Sequence, residues 1–267
     1  MKNKLKTLNV LFIILFSSIL FESVYAEDPI LISISSDLDQ VIFDGKWTHV
    51  YEWKQSSYNR LVFDDGNEIH LRTGHQDNFI YVHINFASDT NIEKGSDSAI
   101  ICFDTKNDKT MIPQSDDYCF STTLDTKNSF TYRGNNNPSI DDSFDIIPND
   151  KNFVGVGTTS DKYDRYSKVP HTSYEFRIPL DVLGRSDNYG FYVSVYDGDS
   201  QNHYSWPYEI KNQTSFSSPN QWGDLVSPDK SLPEFNLLVM FSLIFSLMAV
   251  SIIITKLNVF KINTFRY

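Results

Sequence analysis

Apolar and polar residues alternate with period two through most of the middle of the chain. In Phe79-Ile80-Tyr81-Val82-His83-Ile84-Asn85-Phe86, the set Ile80, Val82, Ile84 and Phe86 falls on one face and Tyr81, His83 and Asn85 on the other. Such alternation is that of a strand with one face buried. Residues 68–72 alternate in the same way, and Gly74-His75-Gln76-Asp77-Asn78 between the two runs supplies turn chemistry, so 68–86 is predicted as a hairpin. Similar short runs follow at 98–104, 118–124, 153–158, 174–178, 191–196 and 204–209. No segment sustains a 3.6-residue period. One turn of helix is expected at 180–183, begun by Pro179 and closed by Gly184. Many short strands separated by Asn, Asp, Gly and Ser predict an all-β fold, an antiparallel sandwich of the jelly-roll kind. Gly134-Asn135-Asn136-Asn137-Pro138 and residues 214–220 are expected to be exposed loops, and residues 27–232 to form one domain.

The two ends follow a different pattern. Lys2, Lys4 and Lys6 precede an apolar run over 10–21 that closes at Val24-Tyr25-Ala26. Residues 1–26 thus read as a secretory signal peptide, with an uncleaved anchor as the alternative. Residues 235–255 carry no charge, which is enough to cross a bilayer, since a span needs ~20 such residues. Lys256, Lys261 and Arg266 follow it, so the tail 256–267 is expected in the cytoplasm and the domain outside, a single-pass type I arrangement on the extracellular face of the membrane.

Charge removes one class of partner. Residues 27–232 hold 17 of the 23 basic and 32 of the 34 acidic side chains, a net charge near −15. Nucleic-acid binding draws most of its affinity from Lys and Arg neutralising phosphates, so it is not expected. An aromatic content of 15% also excludes disorder for most of the chain.

Local phrases between about 40 and 226 resemble the family 9 carbohydrate-binding modules and their DOMON-like β-sandwich relatives. These phrases are Asp44-Gly45-Lys46-Trp47 with Glu52-Trp53, Phe79-Ile80-Tyr81-Val82-His83-Ile84, and Phe103-Asp104 with Asn107-Asp108 and Asp116-Asp117-Tyr118. They continue with Tyr174-Glu175-Phe176-Arg177-Ile178-Pro179-Leu180 and Leu183-Gly184, then Asp197, Trp206-Pro207 and Trp222-Gly223. The resemblance implies a calcium-stabilised sandwich that in some members binds sugar ends between aromatic rings, and a partner that is a polysaccharide or surface glycan. Pro233-Glu234-Phe235 before the apolar span resembles the PEF-type sorting signal of archaeal surface proteins. It implies processing by an archaeosortase, with an ordinary anchor helix at 233–255 as the alternative.

Asp104, Asn107, Asp108, Asp116 and Asp117 fall in and around one hairpin loop rich in the oxygen donors calcium takes, with Glu52, Asp197 and Asp199 as candidates for the same ion or a second one; the alternative is a merely solvated acidic loop. Rings that stack on sugar faces are sought among Trp47, Tyr51, Tyr81 and Trp206, with His83 and Asn85 as donors to hydroxyls, while Trp53 and Trp222 are read as structural. Cys102 and Cys119 flank the Asp-rich loop and are expected to form a disulfide, or else two buried thiols. Asn212-Gln213-Thr214 is the sole glycosylation sequon.

No nucleophile, zinc or phosphate-loop motif is present, so a non-catalytic, surface-anchored glycan-recognition or adhesion module is the leading reading. The alternatives are a structural envelope protein without ligand and a haem b electron-transfer domain. The latter would draw its axial pair from Met111 and His49, His70, His75, His83, His171 or His203. Calcium, rather than haem, is the expected cofactor.

Overall fold

The structure is a computed structural model and describes residues 28–126, 128–208 and 216–228. The segment 1–26, the sequon at Asn212, the tripeptide 233–235, the apolar span and the tail 256–267 lie outside the described residues. Among the described residues no helix is long and apolar enough to cross a membrane.

The eight predicted runs are all strands. They are β4 (Glu68–Gln76), β5 (Phe79–Phe86), β6 (Ser98–Asp104), β7 (Asp117–Thr123), β10 (Val154–Thr159), β11 (Thr172–Pro179), β12 (Asn188–Asp197) and β13 (Asn202–Trp206). The predicted helical turn is α1 (Leu180–Leu183), closed by Gly184 at φ +75°, a backbone state that suits glycine. Six further strands complete two sheets: β1 (Ile30–Leu31), β2 (Ser33–Ile34), β3 (Ser57–Val62), β8 (Ser129–Gly134), β9 (Phe144–Ile147) and β14 (Gly223–Val226).

The larger sheet has the order β1-β14-β12-β6-β7-β8-β9, and β13 takes the part of the β12 edge that β14 leaves free. The smaller runs β10-β11-β5-β4-β2, with β3 also on β4. Pairing is antiparallel except at two short edges, β1 with β14 and β2 with β4, which are parallel.

The core lies between the sheets. Ile80, Val82, Ile84 and Phe86, the set that alternation assigned inward, meet Tyr174, Phe176 and Ile178 beside them and Ile101, Phe103, Phe191, Val193 and Val195 from the larger sheet. Full burial of each such side chain contributes about 1.5–3 kcal/mol.

Each sheet is also covered on part of its outer face. Over the smaller one, Leu38, Val41, Trp47 and Trp53 form a second cluster with Tyr81. Tyr81, His83 and Asn85, expected on an open face, are therefore buried. Over the larger one, Ile100, Cys102, Cys119, Tyr192 and Trp222 form a third cluster, with Phe216 packed against it. Cys102 and Cys119 stand directly opposite each other, Cα atoms 4.0 Å apart, and are joined by the expected disulfide.

Candidate functional site

Period two places Ser98, Ile100, Cys102 and Asp104 in a line along the outer face of β6. Register builds rows across the strands from them. Ser98 stands between Tyr196 and Thr123, Ile100 between Ser194 and Ser121, Cys102 between Tyr192 and Cys119, and Asp104 between Gly190 and Asp117. Phe130 and Tyr132 extend the second and third rows onto β8, and His203 extends the first onto β13. The outer face thus changes character along one strand, from hydroxyls and rings, through the disulfide cluster, to carboxylates.

The first two rows form an open hollow of about 320 Å³. Ser98, Ser121, Thr123 and Ser194 supply hydroxyls to its lining. Phe130, Tyr132 and Phe216 contribute rings on the β8 side, and Tyr196 and His203 on the β12–β13 side. Tyr196 and His203 lie 4.8 Å apart, and Tyr132 meets Phe216 edge-on at 4.9 Å, so each ring is held by a neighbour. Phe130 keeps 39% of its surface open. None of these residues was among the sequence-predicted sugar or calcium ligands, and His203 was named only as a candidate for haem. The available signal was Phe130-Thr131-Tyr132, a run whose aromatic positions face outward while Thr131 is buried.

The predicted ring set is dispersed. Trp206 is part of the central core, so it has no face to offer a ligand. Trp47 is 4% exposed, with Arg72 on one ring contact at 5.0 Å and Arg165 at 5.3 Å. His83 stacks on Trp53 at 5.2 Å and Asn85 donates to Asp164 at 2.9 Å, both under the covering loops. Tyr81 is buried in the same layer, and Tyr51 alone of the six is open to solvent. Trp53 and Trp222 are structural: the indole of Trp53 donates to Glu175 Oε1, and that of Trp222 to Ser217. Glu175 also accepts from the backbone N–H of Gly45, and burial pushes its carboxyl well above the usual range. Met111 is exposed, whereas His83 and His171 are buried.

At the far end of β6, carboxylate oxygens of Asp104, Asp116 and Asp117 all lie within 4.8 Å of one another. Three oxygens so spaced fit on a sphere of the roughly 2.4 Å radius that calcium requires. Asp104 accepts the N–H groups of Lys106 and Lys109 and Asp117 that of Gln114, which fixes both carboxylates. Asp117 Oδ1 and Asn107 Oδ1 are buried without a partner. Burial, with Asp104, Asp116 and Asp108 adding repulsion, pushes Asp117 up to about 7. A Cβ at Gly190 would sit 3.2 Å from Asn107 Oδ1 and 3.3 Å from Asp104 Oδ2, so glycine keeps this cradle open. The donors present fit a hard cation. Asp108 lies in the field of Asp104 and Asp116.

Three of the predicted metal ligands lie elsewhere. Glu52 accepts the N–H groups of Ile42, Thr48 and His49 and so staples its own loop. Asp197 stands at the other end of β12, in a separate acidic group with Asp89 and Glu93, and Asp199 accepts from Asn91.

No family model matches the chain, and no curated protein matches it. Among solved structures it is similar to a family 9 carbohydrate-binding module from Caldicellulosiruptor kristjanssonii in complex with glucose. That similarity has 15% identity, covers 78% of this chain and 100% of that one, and has a TM-score of 0.44.

Proposed function

We propose that the chain is a non-catalytic carbohydrate-binding module, anchored at the cell surface, that receives a glycan in the hollow on the outer face of its larger sheet. The observation that carries this reading is the make-up of the hollow, where rings stand over a lining rich in serine and threonine hydroxyls. Aromatic faces stack on the C–H surfaces of sugar rings, and hydroxyls exchange hydrogen bonds with the sugar's own. Among the described residues no carboxylate lines the hollow, whereas glycoside hydrolysis most commonly uses two flanking the scissile bond.

Calcium held by Asp104, Asp116 and Asp117 serves the same site at a distance. Lys109, from the loop these residues bracket, donates to the carbonyls of Trp222 and Gly223, and Asn107 donates to Asp224. The loop therefore holds the segment that continues back through Ser217 to Phe216, one wall of the hollow. An ion that fixed the loop would fix that wall.

The test is a glycan array probed with the full-length chain, with calcium and again with a chelator. Binding to a defined glycan set, weakened by the chelator, is the expected result. Retention of no glycan in either condition would exclude the reading.

A further inference from the structure

The edge of the smaller sheet carries a different chemical arrangement. Among the described residues β3 pairs only with β4, and register sets Tyr58 opposite Arg72 and Arg60 opposite His70. Tyr58 and His70 are joined across the two strands by a 2.8 Å hydrogen bond between the phenol oxygen and Nδ1. His70 Nε2 lies 3.4 Å from Glu68 Oε1, and Arg60 donates to the other oxygen of that carboxylate at 2.6 Å. A carboxylate facing Nε2 keeps the imidazole proton on that nitrogen, which leaves the Nδ1 lone pair to accept from the Tyr58 hydroxyl. Tyr166 lies flat on the imidazole, with ring centroids 3.9 Å apart and planes 3° from parallel. Arg72 pins Tyr166 in turn by donating to its hydroxyl at 2.7 Å. The base is therefore buried and held in place, while Tyr58 keeps 45% of its surface open.

A phenol gives up an electron far more easily when its proton leaves too, because the radical cation is a strong acid. Tyr58 starts as the neutral phenol, since burial raises its pKa against the opposing pull of Arg60 and Arg72. The Arg72 guanidinium lies 4.9 Å from its ring, so positive charge left there would be repelled. Loss of an electron is thus favoured only as the proton passes to His70. Burial lowers the pKa of His70 against the pull of Glu68, which keeps the imidazole uncharged and able to accept.

The more exposed tyrosines lack this arrangement. Tyr51 and Tyr163 are 67% and 75% exposed, but among the described residues neither hydroxyl has a hydrogen-bonded base, and a lysine stands over each ring. Tyr204 donates to Asp65, yet its ring is buried, and a carboxylate is a weaker proton acceptor than an imidazole.

We infer that Tyr58 is an oxidative modification site, where one-electron oxidants formed from peroxide couple its ring covalently to a second phenol. The oxidant takes one electron from the ring as the hydroxyl proton passes to His70 Nδ1, which leaves a neutral phenoxyl radical. When this radical meets a second phenoxyl radical, a carbon–carbon bond forms between their ortho carbons. The hydrogen on each ortho carbon then moves to the oxygen of its own ring, restoring both phenols. Two electrons have gone to two equivalents of oxidant and two protons to solvent, that of Tyr58 by way of His70. The inference depends neither on a glycan ligand nor on a bound ion.

Photogenerated ruthenium(III) tris-bipyridine as oxidant, with biotinylated tyramide as the second phenol, tests it on the full-length chain in mild detergent. Peptide mapping by mass spectrometry should place most of the tyramide on Tyr58, ahead of the more exposed Tyr51 and Tyr163. Tyr58→Phe, which keeps the ring and loses the hydroxyl, should remove most of the label from the chain. His70→Gln can still accept the hydrogen bond but is not basic, so labelling of Tyr58 should fall to the level of Tyr51 or below. Unchanged labelling of Tyr51 and Tyr163 in that variant separates a lost proton acceptor from a lost fold. Labelling in order of exposure, with Tyr163 and Tyr51 ahead of Tyr58, would overturn the assignment. So would a Tyr58 yield undiminished in His70→Gln.

Discussion

His83 is a buried base whose charge state should set the acid stability of the domain. It is wholly buried, stacks on Trp53 at 5.2 Å, meets Trp47 edge-on at 6.3 Å, and shares a 3.0 Å hydrogen bond between Nε2 and the hydroxyl of Ser173. Burial, with the Arg72 guanidinium and then His171 and His70 adding repulsion, lowers its pKa to about 3. The unfolded chain takes up that proton near pH 6.5, so between about 3 and 6.5 the unfolded state binds more protons and stability rises with pH. The contribution is fully present above pH 6.5 and is lost on acidification at about 1.4 kcal/mol per pH unit. From pH 7 to pH 5 the loss amounts to about 2 kcal/mol. The perturbation is His83→Phe, which keeps a ring between the indoles and removes the titration. It should cost about 1 kcal/mol at pH 7 through the lost bond to Ser173. Urea unfolding of both proteins at pH 7 and pH 5, in the same calcium concentration, isolates the effect, because every other titrating group is shared. The native chain should lose about 2 kcal/mol more than the variant over that interval. Equal losses in the two proteins would refute the reasoning.

Other consequences are local. Replacing Cys102 and Cys119 by Ser opens a link across a sequence separation of 17 and should cost about 3 kcal/mol, read as a lower urea midpoint that reducing agent reproduces in the native chain. In Gly223→Ala the new Cβ would lie 2.1 Å from the Trp206 ring, so the domain should lose at least about 2 kcal/mol by the same assay. Trp206→Ala, in the central core, should cost about 3–5 kcal/mol. A chain that folded with native stability after that change would contradict the placement of Trp206.

The parts of the fold written in strict alternation were legible in the sequence. Ile80, Val82, Ile84 and Phe86 face the core as their spacing requires, and Pro179 and Gly184 bracket a single helical turn. What alternation does not encode is what covers a sheet's second face. The segments that bury His83 and Asn85 have little regular structure of their own, so nothing periodic announces them. The edge pairs of β1 with β14 and β2 with β4 match two residues each, too few to show a period. Strand β8 was missed for a different reason, since its rings face outward and its core-facing position is Thr131.

The same physics explains the site. Tryptophan offers the most apolar surface per residue, so Trp53, Trp206 and Trp222 went to packing, and the open rings are smaller ones. Asp104, Asp116 and Asp117 could be grouped from sequence because one short loop joins them. Asp89 and Asp197 are more than a hundred residues apart, and only the closing of the sandwich brings them together.

The central claim is that the glycan sits in the hollow between β8 and β13, and calorimetric titration of the best array ligand tests it most directly. The native chain should be compared with Tyr132→Ala and Tyr196→Ala in the hollow, and with Tyr51→Ala, an exposed ring outside it. Each hollow variant should lose about 1–2 kcal/mol, a roughly 5- to 30-fold weaker Kd, while Tyr51→Ala binds as the native chain does. Undiminished affinity in both hollow variants, with affinity lost in Tyr51→Ala, would contradict the account.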